Sequence, residues 1–260
     1  MSTPNKNKPL SPKQQEIQDR PGRILHVARI ILKNEGYTSL TIDRIFGELK
    51  CSRPPIYELF ASREDVVIGV AIEDAIQRWK LLKRAVTFEG NHREKLVAMS
   101  AFFNHTYPKH LKILAVLQPN SIRKKATEKN RQTLEEYEAR SFEIEMRLVE
   151  GAIEVGDLVL PEGESAAMVA YPLLCLTFGG HSFESRYPTW SLHQREFDRQ
   201  LAVNWGFRTM LDGFRWKPLS TEWDYPAMLK RAYKELDVLA YVEETEAEKP
   251  SSKYKVSDAS

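Results

Sequence analysis

Between Ile24 and Val70 the apolar residues recur at helical spacing, and stop and start signals fall so close together that only short helices joined by tight turns fit. Pro21 suits a first helical position, Ile24, Leu25, Ala28, Ile31 and Leu32 repeat at helical spacing after it, and Gly36 supplies the stop. Thr41 is an N-cap for a second helix carrying Ile42, Ile45, Phe46 and Leu49. Ser52 caps a third, in which Pro54 is tolerated because first-turn amides have no helical partner. Ser62 opens a fourth, with Asp65 at the capping-box offset, and Val66, Val67, Val70, Ile76 and Trp79 carry it to about Val86.

The rest of the chain is also helical in pattern. Gly90 and Asn91 break it, and Glu94 starts a helix with Leu96, Val97, Met99, Phe102 and Phe103. A short helix is expected from Pro108 through Leu117, ended by Pro119. A long charged helix is expected from about Ile122 to Val155, stopped by Gly156. Residues 166–182 are apolar all round, which predicts a helix buried on several sides, bent at Pro172 and loosened at Gly179-Gly180. Ser191 caps a helix through Phe197, Leu201, Trp205 and Leu211 to Gly213, and Pro218 separates a last amphipathic helix from Tyr225 to about Val242. Strand-like alternation of useful length is absent, so the expected class is all-α.

Charge and composition narrow the function classes. Residues 1–60 hold ten Lys/Arg against six Asp/Glu, so the +2 of the whole chain leaves residues 61–260 at −2. A basic end on a weakly acidic body suits a chain that meets phosphates at one end only. Residues 1–20 read as a flexible basic arm, whose Lys6, Lys8 and Lys13 either follow a minor groove or phosphates or stay idle; residues 243–260 read as a disordered tail. Cys51 and Cys175 lack metal or disulfide spacing and are expected as free, buried thiols. The polar start carries no secretory signal, and the apolar run Met168–Phe178 is too short to cross a bilayer, so a cytoplasmic protein without a membrane partner is expected. Gly-rich phosphate loops, nucleophile elbows, HExxH and paired Cys-His sets are missing, and the Glu-rich stretch 134–154 lacks Glu-x-x-His. No enzyme, cofactor or metal is expected. His105, His110 and His181 have no strong metal spacing and read as satisfied or exposed.

The compact amino-terminal pattern has a chemistry of its own. A major groove admits one α-helix, and a second helix must cross it to brace the reader. Ile45, Leu49, Ile56 and Phe60 would pack helices 42–49 and 53–60 onto the first, leaving Ser52, Arg53, Pro54, Pro55, Tyr57 and Glu58 on or near the exposed side. Gly36-Tyr37, Thr41, Ile45, Cys51-Ser52, Ile56-Tyr57, Phe60 and Ser62-Arg63-Glu64 together resemble the helix-turn-helix of the TetR/AcrR family of transcriptional regulators, over roughly residues 23–70. The resemblance implies phosphate contacts from Thr41, Tyr57 and Arg63 and groove contacts from Arg53, Pro54 and Arg44. It departs at Phe46, where the family has a small Ala and the helices should be pushed apart or leave a cavity. It departs also at Lys50 for the turn Gly, at Pro54-Pro55, and at Glu58, an acid near phosphate able to accept from cytosine.

The same resemblance divides the chain into a helix-turn-helix unit, 21–68, and a larger helical effector and dimerisation unit, 69–242, with 63–86 as the connecting helix. It implies a homodimer reading an operator with paired half-sites on double-stranded DNA, most simply a repressor released by a small apolar or aromatic effector. Helices 165–182 and 191–213 would then form half of an intersubunit four-helix bundle. Phe197, Leu201 and Trp205 fit either that interface or an internal core. A pocket between helices 92–106, 122–155 and 165–182 would be lined by Phe102, Phe103, His105, Tyr107, Phe142, Met146, Leu174, Phe178 and His181. The departures at Phe46, Lys50 and Pro54-Pro55 keep open an alternative, a helical protein-interaction module of the same fold with weak or lost DNA binding.

Overall fold

The computed structural model describes residues 12–49, 57, 59–106, 120–186 and 199–236, with side chains from 19 onward except at 104–106, 181, 184–186 and 199–200. Within these residues the secondary structure is entirely helical: α1 Pro12–Asn34, α2 Ile42–Leu49, α3 Arg63–Ala85, α4 His92–Thr106, α5 Asn120–Arg123, α6 Glu128–Glu154, α7 Ala166–Arg186, α8 Arg199–Gly213 and α9 Tyr225–Glu235, plus a 3₁₀ turn at Tyr37–Ser39.

Two hydrophobic cores lie along the chain. In the first, Ile24, Leu25, Val27, Ala28, Ile31 and Leu32 of α1 meet Ile45, Phe46 and Leu49 of α2, Phe60, and the residues from Val66 to Ala75 of α3. Gly36 ends α1 at φ 86°, where any side chain is strained, and its N–H reaches the carbonyls of Ile31 and Leu32 at 3.2 Å. Gly69 of α3 admits Leu25 and Phe60 against its backbone; a Cβ there would meet their side chains at 2.8 and 2.9 Å. Phe46, expected to wedge the helices or leave a cavity, is itself part of this core.

The second core joins the end of α3 (Leu81, Leu82, Ala85) to α4, α6, α7, α8 and α9, with Phe88, Phe102 and Trp216 almost wholly buried. At its far corner the fully buried Arg93 donates to Asp212 Oδ1 at 2.6 Å and to the Trp216 carbonyl. Burial works to raise the Asp212 carboxyl, but hydrogen bonds from Ser220 and Arg93 outweigh it and hold it below the usual carboxylate range.

Several boundaries differ from the sequence reading. Helix α1 starts at Pro12 rather than Pro21, so Pro21 lies inside it. The good helix formers before Pro21 continue the turn across the single backbone bond that proline cannot make. The long charged helix is two, α5 and α6, because Thr127 is drawn out as an N-cap. Its N–H and Oγ1 both donate to Asp65 Oδ1 at 2.9 Å, and the Asn130 side-chain amide joins them at 3.0 Å. Asp65 Oδ2 accepts from the Ala61 N–H at 3.2 Å, and this carboxylate is only 1% exposed. Helix α7, expected to be buried on several sides, buries Val169, Ala170 and Leu173 but exposes Met168, Tyr171 and Phe183. Cys175, expected buried, is exposed on the same side. Cys51, the short helix 108–117, the start of α8 at Ser191 and the tail 243–260 lie outside the described residues.

The first core extends past the expected boundary at 68. It runs to Ala75 and takes in Ile122 of α5 and Leu134 of α6.

Candidate nucleic-acid interface and candidate ligand cavity

The amino-terminal unit presents one side of its helices outward. Phe60 points into the first core, whereas Tyr57 is 58% exposed. Thr41 Oγ1 accepts from the Arg44 N–H at 3.1 Å and fixes the start of α2. The Arg44 guanidinium grips Glu35 with two bonds, the longer 2.6 Å. Arg63 lies over the Tyr37 ring, 4.2 Å from its centre, and donates to the Tyr37 hydroxyl at 2.8 Å. That hydroxyl donates in turn to Glu64 at 2.8 Å. Burial would raise the Glu64 carboxyl, but the Tyr37 hydroxyl, its own backbone N–H and Arg63 hold it below its usual range.

Thr41, Arg44, Tyr57 and Arg63 thus sit on the amino-terminal unit, with both arginines already bonded to neighbours. Ser52, Arg53, Pro54, Pro55 and Glu58 lie outside the described residues, as does Lys50.

The second site is a partly open cavity in the helical body, lined by residues of α3, α4, α6, α7 and α8. Its walls are mostly apolar: Leu82, Leu96, Met99, Phe103, Val149, Leu173, Phe178 and Phe207. Among the polar residues there, Ser141 donates its hydroxyl to the Tyr137 carbonyl and Thr177 donates to the Leu173 carbonyl, so both protons are spent on their own helices. Arg78 of α3 and Glu145 of α6 are the charged residues of the wall. Arg78 is 7% exposed, its guanidinium 5.7 Å from the centre of the Phe178 ring and 5.9 Å from that of Phe142. Burial pushes the Glu145 carboxyl up to about 7, with the Arg78 charge opposing it. One turn before Arg78, Asp74 is hydrogen-bonded to Arg29, which also bonds Glu73 at 2.9 Å and pins α1 to α3.

Of the residues expected to line a pocket, Phe103, Phe142 and Phe178 do line this cavity. Phe102, Met146 and Leu174 do not: Phe102 is buried in the second core, and Met146 is partly buried against it. The side chains of His105, Tyr107 and His181 lie outside the described residues. Arg78 and Glu145 were not anticipated. The signal for Arg78 was present, because Asp74 and Arg78 interrupt the buried stripe of α3 at four-residue spacing.

On the outer side, Leu201 and Trp205 of α8 are 66% and 62% exposed, which removes the internal-core reading for both. Phe197 lies outside the described residues. Among the described residues no cluster of three metal-ligating side chains occurs, and no helix is long and apolar enough to cross a membrane.

The protein has the helical fold of the TetR/AcrR regulators. A protein of unknown function from Rhodococcus sp. RHA1 superposes with a TM-score of 0.62 at 18% identity, over 75% of this chain and 95% of the other. A TetR/AcrR-family transcriptional regulator from Thermobifida fusca gives 0.51 at 20% identity, over 75% and 98%. The transcriptional regulator FadR from Bacillus subtilis, solved in complex with stearoyl-CoA, gives 0.52 at 17% identity, over 74% and 97%. No protein-family model matches the sequence, and no curated protein is significantly similar to it.

Proposed function

We propose that the protein is a ligand-responsive, DNA-binding transcriptional regulator, a dimeric repressor released from its operator by a small apolar or aromatic effector. The observation that carries this reading is the course of α3 and α6. Each has one end in the amino-terminal core, through Val66 to Ala75 and through Leu134, and contributes further along to the cavity wall, through Arg78 and Leu82 and through Ser141 to Val149. A ligand that prefers one tilt of these helices shifts the spacing of paired readers by its difference in affinity, and by no more. The dimer surface would be the outer side of α7 and α8, where Met168, Tyr171, Cys175, Phe183, Leu201 and Trp205 stand exposed.

Selection of duplexes from a random pool, followed by salt-dependent shift assays, tests the reading. Arg53→Ala should relax sequence preference at one position, and Arg63→Ala should weaken all duplexes and lower the salt slope by about 1. If both variants bind as the parent does, the reading surface is misplaced.

A second reading has an observation in its favour. Arg44 and Arg63 are engaged within the chain, as in a helical interaction module that has given up its operator. The exposed Arg44–Glu35 pair is worth about 1 kcal/mol or less, so a phosphate can displace it. Failure to retain any duplex at low salt would favour the module.

A further inference from the structure

We propose that the cavity takes an apolar carboxylic acid, whose carboxylate is received by the Nε–Nη2 edge of Arg78 while its hydrocarbon part lies among Phe103, Phe178 and Phe207. This deepens the ligand-responsive reading of the same cavity and rests on it.

Arg78 is buried in the cavity wall, and neither its Nε nor its Nη2 has a hydrogen-bond partner among the described residues. A guanidinium keeps its charge at every pH the protein meets, so burial cannot neutralise it. Nε and Nη2 form the edge that meets a carboxylate with two parallel N–H···O bonds. The neighbouring groups do not fill that place. Asp74 acts on Arg78 through space and accepts a hydrogen bond from Arg29 Nη1. Glu145 acts on it through space as well, and burial leaves its carboxyl near half-protonation at neutral pH. Phe142 and Phe178 lie near the guanidinium, at 5.9 and 5.7 Å to their ring centres, which attracts the charge weakly and leaves the N–H donors unmet.

The same wall argues against other ligand classes. A cationic head group would meet the fixed Arg78 charge, and Glu145 is a poor anchor for it while half its population is neutral. A neutral polar head could accept one bond from Arg78 but brings neither the opposite charge nor the paired oxygens that match its two-point edge, and the hydroxyl protons of Ser141 and Thr177 are committed to their own helices. An acid alone uses what is unpaired.

The test is calorimetric titration of the full chain at neutral pH with octanoate, octanol and octyltrimethylammonium, and with 1-naphthoate against 1-naphthalenemethanol. Each acid should bind at least about tenfold more tightly than its alcohol, and the ammonium should not bind. In Arg78→Met the acid and alcohol should become equal. If that variant loses its helical circular dichroism, Arg78→Lys decides instead: it keeps the charge without the two-point edge and should weaken the acids by about tenfold. Alcohol binding equal to acid binding, preference for the ammonium, or no binding by any member overturns the proposal. So does an acid preference that survives Arg78→Met, or that Arg78→Lys leaves at full strength. Acid uptake by a chain that shifts no duplex keeps this inference and removes the regulator; duplex binding by a chain that takes up no acid does the reverse.

Discussion

Burial of the Glu145 carboxyl makes the cavity sensitive to protons as well as to shape. The Glu145 carboxyl ionises near 4.5 in a free chain and is pushed up to about 7 by burial when folded. Between those values the unfolded chain has released a proton that the folded chain keeps, so this group stabilises the fold at low pH and loses that contribution as pH rises toward 7. Glu145→Gln removes the titration. The difference in urea midpoint between parent and variant should therefore change from pH 4.5 to pH 7 and stay level above it; a pH-independent difference would refute the assignment. Arg78 is the other charged group of the cavity wall, with Asp74 behind it on α3, so no further carboxylate among the described wall residues competes for the same proton. At this scale the sequence revealed residue types but not the partners they lack. Phe103, Phe142 and Phe178 were legible as aromatic side chains on three facing helices, whereas the register that admits them and excludes Phe102, Met146 and Leu174 depends on helix rotation.

Helix starts were readable because a cap is a bond between near neighbours. Thr41, Ser62 and Asn91 each accept from the backbone N–H three residues on, and Glu94 returns a bond to the Asn91 N–H at 2.9 Å. The break between α5 and α6 was not readable, because its cause, Asp65, lies 62 residues away from Thr127. That carboxylate closes the amino ends of two helices at once. Asp65→Ala would leave four buried or half-buried donors without their acceptor, and we expect a loss of about 3 kcal/mol in denaturant unfolding. A loss under about 0.5 kcal/mol would mean that water replaces the carboxylate at no net cost. The extension of α1 before Pro21 was hidden for a related reason: a proline that suits a first turn also survives inside a helix where neighbouring turns hold it.

For the molecule as a whole, the exposed apolar side of α7 and α8 sets the expected assembly. Tyr171 is 71% exposed and Trp205 62%, with Met168, Phe183 and Leu201 exposed on the same two helices, and such a concentration of large apolar side chains suits an interaction surface. Trp205→Glu should therefore shift the sedimentation of the full chain from dimer to monomer while its circular dichroism is unchanged, because the side chain makes little contact within its own chain. A variant that sediments as the parent does would place the interface elsewhere. The all-α class was legible from spacing alone, since it rests on local periodicity. The side of the apolar run 166–182 that stays outside its own core was not legible, because a helix that is apolar on every side looks the same whether its outer face meets its own core or another molecule.

Ile122 and Leu134 complete the amino-terminal core, although they belong to helices more than forty residues beyond its expected end. The two units are therefore not interchangeable cassettes. A chimera that grafts the first ninety residues onto a foreign body must also supply two apolar side chains and the donors that Asp65 requires, or it inherits an open core. Divergence of the ligand-facing half is thus tied to a seam that has to be kept, and new sensing bodies on this scaffold are more readily reached by altering the cavity wall than by recombination.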